Sequence, residues 1–305
     1  MIDSLLKAPH PGFRSGMVAM VGCANAGKSS LMSRILEEKV SIVSPVPQTT
    51  RNQIRGIFTD GDRQLVFIDT PGLHTEYGNL GKMMNATAKK SIEGSDAILY
   101  VIDGSLKPQQ KDEEWMERLS HERMPLVFAV NKKDLKGHRL SSYRALWEKK
   151  FEQENKPEWI ETSALTGEGL DTLVDFLGGK VPKGPLLFPE EMLTDFPRKL
   201  MISDMVREQF FQVLRDEVPY NIAVWIEDVK EDGDTWMCMG TIYVKTNSHK
   251  GIVIGKKGRL LKRVKEKASR ELEEIYEKKV KMDLHVKVEK DWQKNFWILR
   301  RLGYA

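Results

Sequence analysis

The sequence predicts an α/β domain built on a mostly parallel sheet, followed by a smaller α+β domain. Three observations carry that expectation. Apolar runs of strand length alternate with helical stretches over residues 16–177 of the 305-residue chain, the pattern of a parallel sheet with helices on both faces. The alternation stops at 178–191 (GGKVPKGPLLFPEE), where three glycines and three prolines read as a linker. Beyond it the order changes to helix, two strands, helix with an internal glycine turn, strand and a short helix. The boundaries that follow are an N-terminal tail at 1–15, a first domain at 16–177, a linker at 178–197 and a second domain at 198–305.

Each element has its own signal. Residues 16–22 (GMVAMVG) are an apolar run ending in glycine, a buried strand entering a turn. Residues 53–59 and 64–68 (QLVFI) are two strands joined by the turn Asp60-Gly61-Asp62. The runs 97–102 (AILYVI) and 125–130 (PLVFAV) are buried strands, with a polar helix at 109–121 between them. A helix at 140–155, a strand at 158–163 and a helix at 168–177 complete the first domain. In the second, 198–214 reads as a helix and 221–229 and 236–246 as a hairpin about Glu231-Asp232-Gly233-Asp234. The helical region 249–278 precedes an alternating strand at 281–289, in which Met282, Leu284, Val286 and Val288 share one face.

Composition is that of a globular protein, with 40% hydrophobic and 30% charged residues and a net charge of only +4. Cys23 and Cys238 are the only cysteines, and no Cys/His cluster has metal-site spacing, so free thiols in a reducing compartment are expected. Asp3 and the short apolar stretch beside it argue against a signal peptide. No apolar run approaches the ~20 residues that span a bilayer. The cytoplasm is the expected location.

Residues 22–29 read Gly22-Cys23-Ala24-Asn25-Ala26-Gly27-Lys28-Ser29, the full phosphate-binding-loop pattern, between a strand and a helix. The glycines let backbone N–H groups close on phosphate, and the helix N-terminus adds positive potential. Asn25, Ala26 and Ser30 complete the wrapping segment, Lys28 reaches the β- and γ-phosphates, and the Ser29 hydroxyl suits Mg²⁺. Cys23, inside the loop, raises the question of oxidation sensitivity, which turns on its thiolate character.

Two later motifs choose the base. Asn131-Lys132-Lys133-Asp134 follows an apolar strand. The Asp134 carboxylate can accept from guanine N1–H and N2–H₂, a donor pair adenine lacks. Asn131 braces the loops and the Lys132 stem lies along the base. Ser163-Ala164-Leu165 ends a strand, and there the Ala164 N–H meets guanine O6. Asp69-Thr70-Pro71-Gly72 follows QLVFI, so that Asp69 holds Mg²⁺ through water and the Gly72 N–H contacts the γ-phosphate. Between these elements, one of Thr49 and Thr50 binds Mg²⁺, with the choice open. Arg51 and Arg55 read as solvated loop residues.

These motifs resemble the Ras-like GTPase superfamily and, within it, the bacterial Era family. Leu73 stands where many Ras-like proteins carry the glutamine that orients water, which implies slow or assisted hydrolysis. In related GTPases an asparagine at the position of Asn25 helps bind K⁺, so the resemblance implies a potassium ion beside Mg²⁺. Lys28, Thr49, Thr50 and Gly72 are the implied catalytic set.

The second domain holds Ile254-Gly255-Lys256-Lys257-Gly258, after an apolar stretch and before an amphipathic helix. From His249 to Arg270 there are nine Lys/Arg, Arg259, Lys262 and Arg263 among them, against Glu266 alone, in a chain of net charge +4. The remainder is therefore net acidic, and the basic charge is concentrated for a polyanion. The element order resembles a KH domain of the helix-first type, whose G-x-x-G loop clamps single-stranded RNA. The segment Phe188–Asp195 and the ending Trp292 … Leu302-Gly303-Tyr304 are also similar to Era proteins. That resemblance implies binding to the 3′ end of small-subunit rRNA, a role in assembly of the small ribosomal subunit, some contact with the inner membrane and a monomer. Two other classes remain: a ribosome-binding scaffold stabilised by nucleotide, and a GTPase whose C-terminal domain binds protein.

Overall fold

The computed structural model describes residues 9–42, 51–70, 91–151 and 156–304; Thr49, Thr50, Gly72 and Leu73 lie outside them. The described chain divides into two compact units. The first runs to Asp195, and the second contains 196–304 together with Ile42, Arg51 and Asn52.

The first unit is a six-stranded sheet in the order β2-β3-β1-β4-β5-β6. Its strands are β1 (Arg14–Val21), β2 (Ile54–Thr59), β3 (Arg63–Asp69), β4 (Ala97–Asp103), β5 (Leu126–Asn131) and β6 (Glu158–Glu161). All neighbours are parallel except β2, which runs antiparallel to β3 at the edge. The continuous apolar runs of β1, β4 and β5 are buried on both faces, as helices on both sides require. The β2–β3 turn closes because Asp60 Oδ1 accepts from the N–H groups of Asp62 and Arg63, both at 2.9 Å.

Among the described residues, the helices α1 (Lys28–Ile35), α2 (Gln110–Ser120), α3 (Leu140–Lys150) and α4 (Leu170–Lys180) follow β1, β4, β5 and β6. A capping box between Gln109 and Asp112 starts α2, and Trp115, Met116 and Leu119 anchor it. The expected helix at 140–155 ends at Lys150, where Phe151 turns extended; its ring packs 5.2 Å from Trp147.

The Pro/Gly-rich segment is bonded along the first unit. Ser15 N–H donates to the Pro182 carbonyl (3.0 Å), and Gly184 N–H donates to that of Phe13 (3.2 Å). Gln64 Oε1 accepts from the N–H groups of Leu187 and Phe188. Ile57 N–H donates to the Leu193 carbonyl at 2.8 Å, which covers part of the otherwise open edge of β2.

The second unit is a three-stranded sheet, β7 (Ile222–Asp232), β8 (Thr235–Val244) and β9 (Lys279–Val288). The β7–β8 pair is an antiparallel hairpin, turning through Gly233 at φ 54°, and β8–β9 is parallel. The parallel pair needs a long crossover, supplied by α6 (Asn247–Ile254) and α7 (Arg259–Tyr276). Helix α5 (Arg198–Val213) and α7 pack with the sheet around Met205, Phe210, Ile242, Val264 and Leu272. A separate cluster joins Ala223 and Tyr243 to Trp292, Ile298, Leu299, Leu302 and Tyr304 around α8 (Phe296–Arg301).

Arg51 corrects an expectation. It is 3% exposed, not solvated. Its guanidinium donates to the carbonyls of Ile222 (2.9 Å), Tyr220 (3.3 Å) and Pro219 (3.4 Å), and lies 5.8 Å from the ring centres of Phe211 and Trp292. The single helical turn Pro219–Asn221 and the start of β7 leave those carbonyls pointing inward, and a five-donor fork between aromatic faces satisfies them. Arg55 is half-exposed and paired with Asp195 at 2.7 Å.

Candidate nucleotide site and basic loop

The turn from β1 into α1 is shaped by two glycines. Gly22 has φ 148°, and an added Cβ would fall 2.3 Å from the Val101 carbonyl oxygen; Gly27 has φ 98°, and its Cβ would fall 2.3 Å from Asn131 Nδ2. Neither position tolerates a side chain. Asn25 also takes a left-handed conformation, φ 64°, which asparagine accepts more readily than most residues.

Lys28 folds back into this turn, and its ammonium donates to the carbonyls of Gly22 and Cys23, both at 3.1 Å. Burial pushes the Lys28 ammonium down from its ordinary range, against the opposing pull of Asp69. Burial likewise pushes the Asp69 carboxyl up, with Lys28 and Ser29 opposing it. Ser29 Oγ donates to Asp69 Oδ2 at 2.5 Å. Both groups pay for desolvation, so a phosphate beside Lys28 and a hard cation beside Asp69 would stabilise their charged forms. A hydroxyl and a carboxylate as paired oxygen donors fit Mg²⁺.

Three loops meet at Asn131, which is 2% exposed. Its Nδ2 donates to the Ala26 carbonyl (3.0 Å), and its Oδ1 accepts from Ala164 N–H (3.0 Å) and Thr162 Oγ1 (3.4 Å). Asp134 is exposed, and its Oδ1 accepts from Ser163 Oγ at 2.5 Å. One carboxylate oxygen is thereby oriented while the other stays open to an incoming base. Ala164 N–H is engaged by Asn131, so a bond to guanine O6 would share that hydrogen. Lys132 has φ 65° and its ammonium pairs with Asp103 Oδ2 at 2.6 Å. Leu165 is 77% exposed, Ala26 is buried and Ser30 half-buried.

Three contributors carry no motif. Asp103, at the end of β4, anchors Lys132. Thr162 supports Asn131. Asp112, 6% exposed on α2, accepts from Tyr100 Oη (3.0 Å) and from the Cys23 thiol (3.6 Å). Burial first, and then Asp112, pushes Cys23 up to about 12. The thiol therefore stays protonated, which answers the question of oxidation at this cysteine. A strand-end Asp preceding Gly104 was the only local hint of Asp103; the others show only once the chain is folded.

In the second unit, α6 ends at Ile254 and α7 begins at Arg259, with Lys256–Gly258 forming one tight turn between them. Gly255, Lys257 and Gly258 all have positive φ (73°, 53° and 74°). An added Cβ at Gly255 would fall 2.6 Å from Leu260 Cβ. Lys256, Lys257, Arg259, Lys262 and Arg263 are exposed. Lys262 has Glu266 at 3.9 Å, and no acid occupies the first turn of α7. The buried face of that helix is Val264, Ala268 and Leu272, so its basic residues face solvent around the turn.

Comparison with known proteins agrees with both halves. Residues 17–132 match the family model described as 50S ribosome-binding GTPase, and residues 217–293 match that of the KH domain. The chain is 41% identical over 298 residues to the GTPase Era of Geotalea uraniireducens, covering 96% of this chain and 98% of that one. It is 38% identical to the GTPase Era of Halothermothrix orenii, covering 96% and 99%. Among solved structures it is similar to Era in complex with MgGDPNP and nucleotides 1506–1542 of 16S ribosomal RNA, with a TM-score of 0.90 at 36% identity, covering 96% of this chain and 99% of that one. A variant of Aquifex aeolicus Era bound to GDP·AlF₄⁻ gives a TM-score of 0.89 at 36% identity, covering 96% and 100%.

Proposed function

The chain belongs to the Era family of GTPases, and from that premise we propose that it works as a GTP-driven switch on the 3′ end of small-subunit rRNA during assembly of the small ribosomal subunit. It binds GTP and hydrolyses it to GDP and phosphate, and its KH domain binds RNA. The observation that carries the reading is the joining of three separate loops through Asn131 in a chain that also presents a basic G-x-x-G turn.

The chemistry follows from the residues. Backbone N–H groups of 22–29 wrap the phosphates, and Lys28 exchanges two carbonyls for phosphate oxygens, regaining the charge that burial disfavours. Ser29 and Asp69 would hold Mg²⁺, with Thr49 or Thr50 completing the set, and the ion would supply charge neutralisation at the β- and γ-phosphates. Gly72 contacts the γ-phosphate. A water oxygen bonds to the γ-phosphorus as the bridging oxygen leaves with GDP. Asp134, oriented by Ser163, accepts the guanine N1–H and N2–H₂. With Leu73 in place of a water-orienting glutamine, a potassium ion held near Asn25 would supply positive charge beside the phosphates. Equal turnover in potassium and sodium buffers would remove that assistance from the mechanism.

The turn Ile254–Gly258, with its exposed Lys256 and Lys257, and the basic residues Arg259, Lys262 and Arg263 clamp single-stranded RNA through backbone phosphates. The chain acts as a cytoplasmic monomer with peripheral contact at the inner membrane. No helix among the described residues is long and apolar enough to cross a membrane. The feature that supports a peripheral contact is the exposed pair Phe296 and Trp297 beside Arg300 and Arg301.

The test is binding of a short RNA matching the 3′ end of small-subunit rRNA, at fixed salt, with GTP analogue and with GDP. Wild type binds, the Lys256→Asp/Lys257→Asp double variant does not, and affinity differs between nucleotide states. No binding by wild type removes the ribosomal role; equal affinity in both states removes the switch.

A further inference from the structure

The two carboxylate oxygens of Asp112 serve different elements. Oδ2 accepts from Gln109 N–H at 2.9 Å and closes the capping box of α2. That cap needs one oxygen. Oδ1 takes no part in it, and accepts instead from Tyr100 Oη on β4 at 3.0 Å and from the Cys23 thiol at 3.6 Å. Three hydrogens therefore converge on a side chain that is almost wholly out of water, as burial of such a group requires.

Cys23 is the point where the loop 22–29 turns a side chain into the protein. Ala24 and Asn25 are exposed, whereas Cys23 packs half-buried against the cluster of Tyr100, Trp115 and Phe128. Its thiol, pushed up to about 12 by burial and then by Asp112, keeps the hydrogen it donates. Its carbonyl closes the turn, accepting from Ala26 N–H at 3.4 Å and from the Lys28 ammonium at 3.1 Å. Thiol and carbonyl belong to one residue, so a side chain held at α2 limits how the following peptide group can rotate. The N–H groups of the turn are fixed with it.

We propose that Asp112 is a positioning residue for the nucleotide's phosphates: through the Cys23 thiol it holds the start of the loop, so that the turn 23–26 presents its N–H groups to the β-phosphate. The inference rests on reading residues 22–29 as the phosphate loop. It adds to that reading a carboxylate that touches no phosphate, 89 residues further along the chain. A thiol is a weak donor, so the effect on affinity is several-fold rather than absolute. An Asp112 that only capped α2 would lower stability when replaced and leave the β-phosphate's share of affinity alone.

The experiment is the Kd of GDP and of GMP, which lacks the β-phosphate, by competition with a fluorescent GDP in Mg²⁺ at one pH and salt. The proteins are the full chain, Asp112→Asn, Cys23→Ala, the double variant and Cys23→Ser. The GDP Kd is expected to rise roughly five- to tenfold in Asp112→Asn and roughly three- to fivefold in Cys23→Ala, with the double variant no weaker than Asp112→Asn alone. The GMP Kd is expected to change by less than about twofold. Serine keeps a donor for Asp112, so Cys23→Ser loses less affinity than Cys23→Ala. Single-variant factors that multiply in the double variant, or equal shifts for GDP and GMP, overturn the proposal. If Asp112→Asn fails to fold, the cysteine pair still decides, because equal GDP affinity of Cys23→Ala and Cys23→Ser overturns it as well. Lys28→Ala separates the two readings. Loss of GDP affinity with little change for GMP upholds the phosphate loop that the proposal needs. Unchanged GDP affinity removes that loop and the proposal with it, whatever the other variants show.

Discussion

Asn131→Ala removes the side chain on which the nucleotide site converges. Three bonds go: to the Ala26 carbonyl, from Ala164 N–H, and from Thr162 Oγ1. The last is long at 3.4 Å and counts for little. The first two leave a buried carbonyl and a half-buried N–H behind. At about 1–2 kcal/mol for each unsatisfied group, the total cost is about 2–4 kcal/mol. The cost divides between the folded state and the bound state. If the loops hold their positions without Asn131, the loss appears in urea unfolding of the free protein. If they relax, the free protein is little changed and binding must order them again. Since each 1.4 kcal/mol is about tenfold, GDP affinity then falls by about 30- to 1000-fold. Fluorescent-nucleotide titration and urea denaturation on the same samples measure both shares. A variant within about threefold of wild type in affinity and within about 0.5 kcal/mol in stability would refute the reasoning, because neither share would then exist.

Cys23 should resist alkylation: held near 12 by burial and Asp112 against an ordinary thiol at 9.0, it carries about a thousandfold less thiolate at pH 8, so iodoacetamide labelling of the folded chain should be far slower than of the urea-unfolded chain. Equal labelling rates would contradict the burial argument. Arg51→Met should destabilise the second unit by about 2 kcal/mol, since three carbonyls lose a charged donor; urea unfolding followed by tryptophan fluorescence reports it, and an unchanged midpoint would mean water serves those carbonyls equally well. Gly255→Ala places a Cβ 2.6 Å from Leu260 at φ 73°. RNA binding should be lost and the second unit weakened by about 1–3 kcal/mol, whereas Gly251→Ala, with open space at its Cβ, should leave both unchanged.

Much of this molecule is local, and what is local can be read from residue order. The glycines at 22 and 27 announce a turn because no other residue adopts their backbone so close to neighbouring chain. The run AILYVI announces a strand covered on both faces because no polar residue interrupts it. The concentration of nine basic residues between His249 and Arg270 announces a polyanion partner for the same one-dimensional reason. Helix ends were less legible. Phe151 turns extended after Lys150, and nothing in the periodicity of 140–155 marks that end.

The remaining features depend on strand order. Asn131 reaches Ala26 across 105 residues of chain, and Asp112 meets Cys23 across 89, because β1, β4 and β5 lie side by side. Arg51 reads as a solvated loop residue until the turn Pro219–Asn221 and the start of β7 bring three carbonyls toward it. By itself the sequence determined which segments form strands and helices, which motifs carry the chemistry to meet phosphate and guanine, and where basic charge gathers, since each of these is a property of neighbouring residues. Only the tertiary structure decided which polar groups lose water and which partners replace it, because burial and hydrogen-bond satisfaction are settled between residues far apart in the chain.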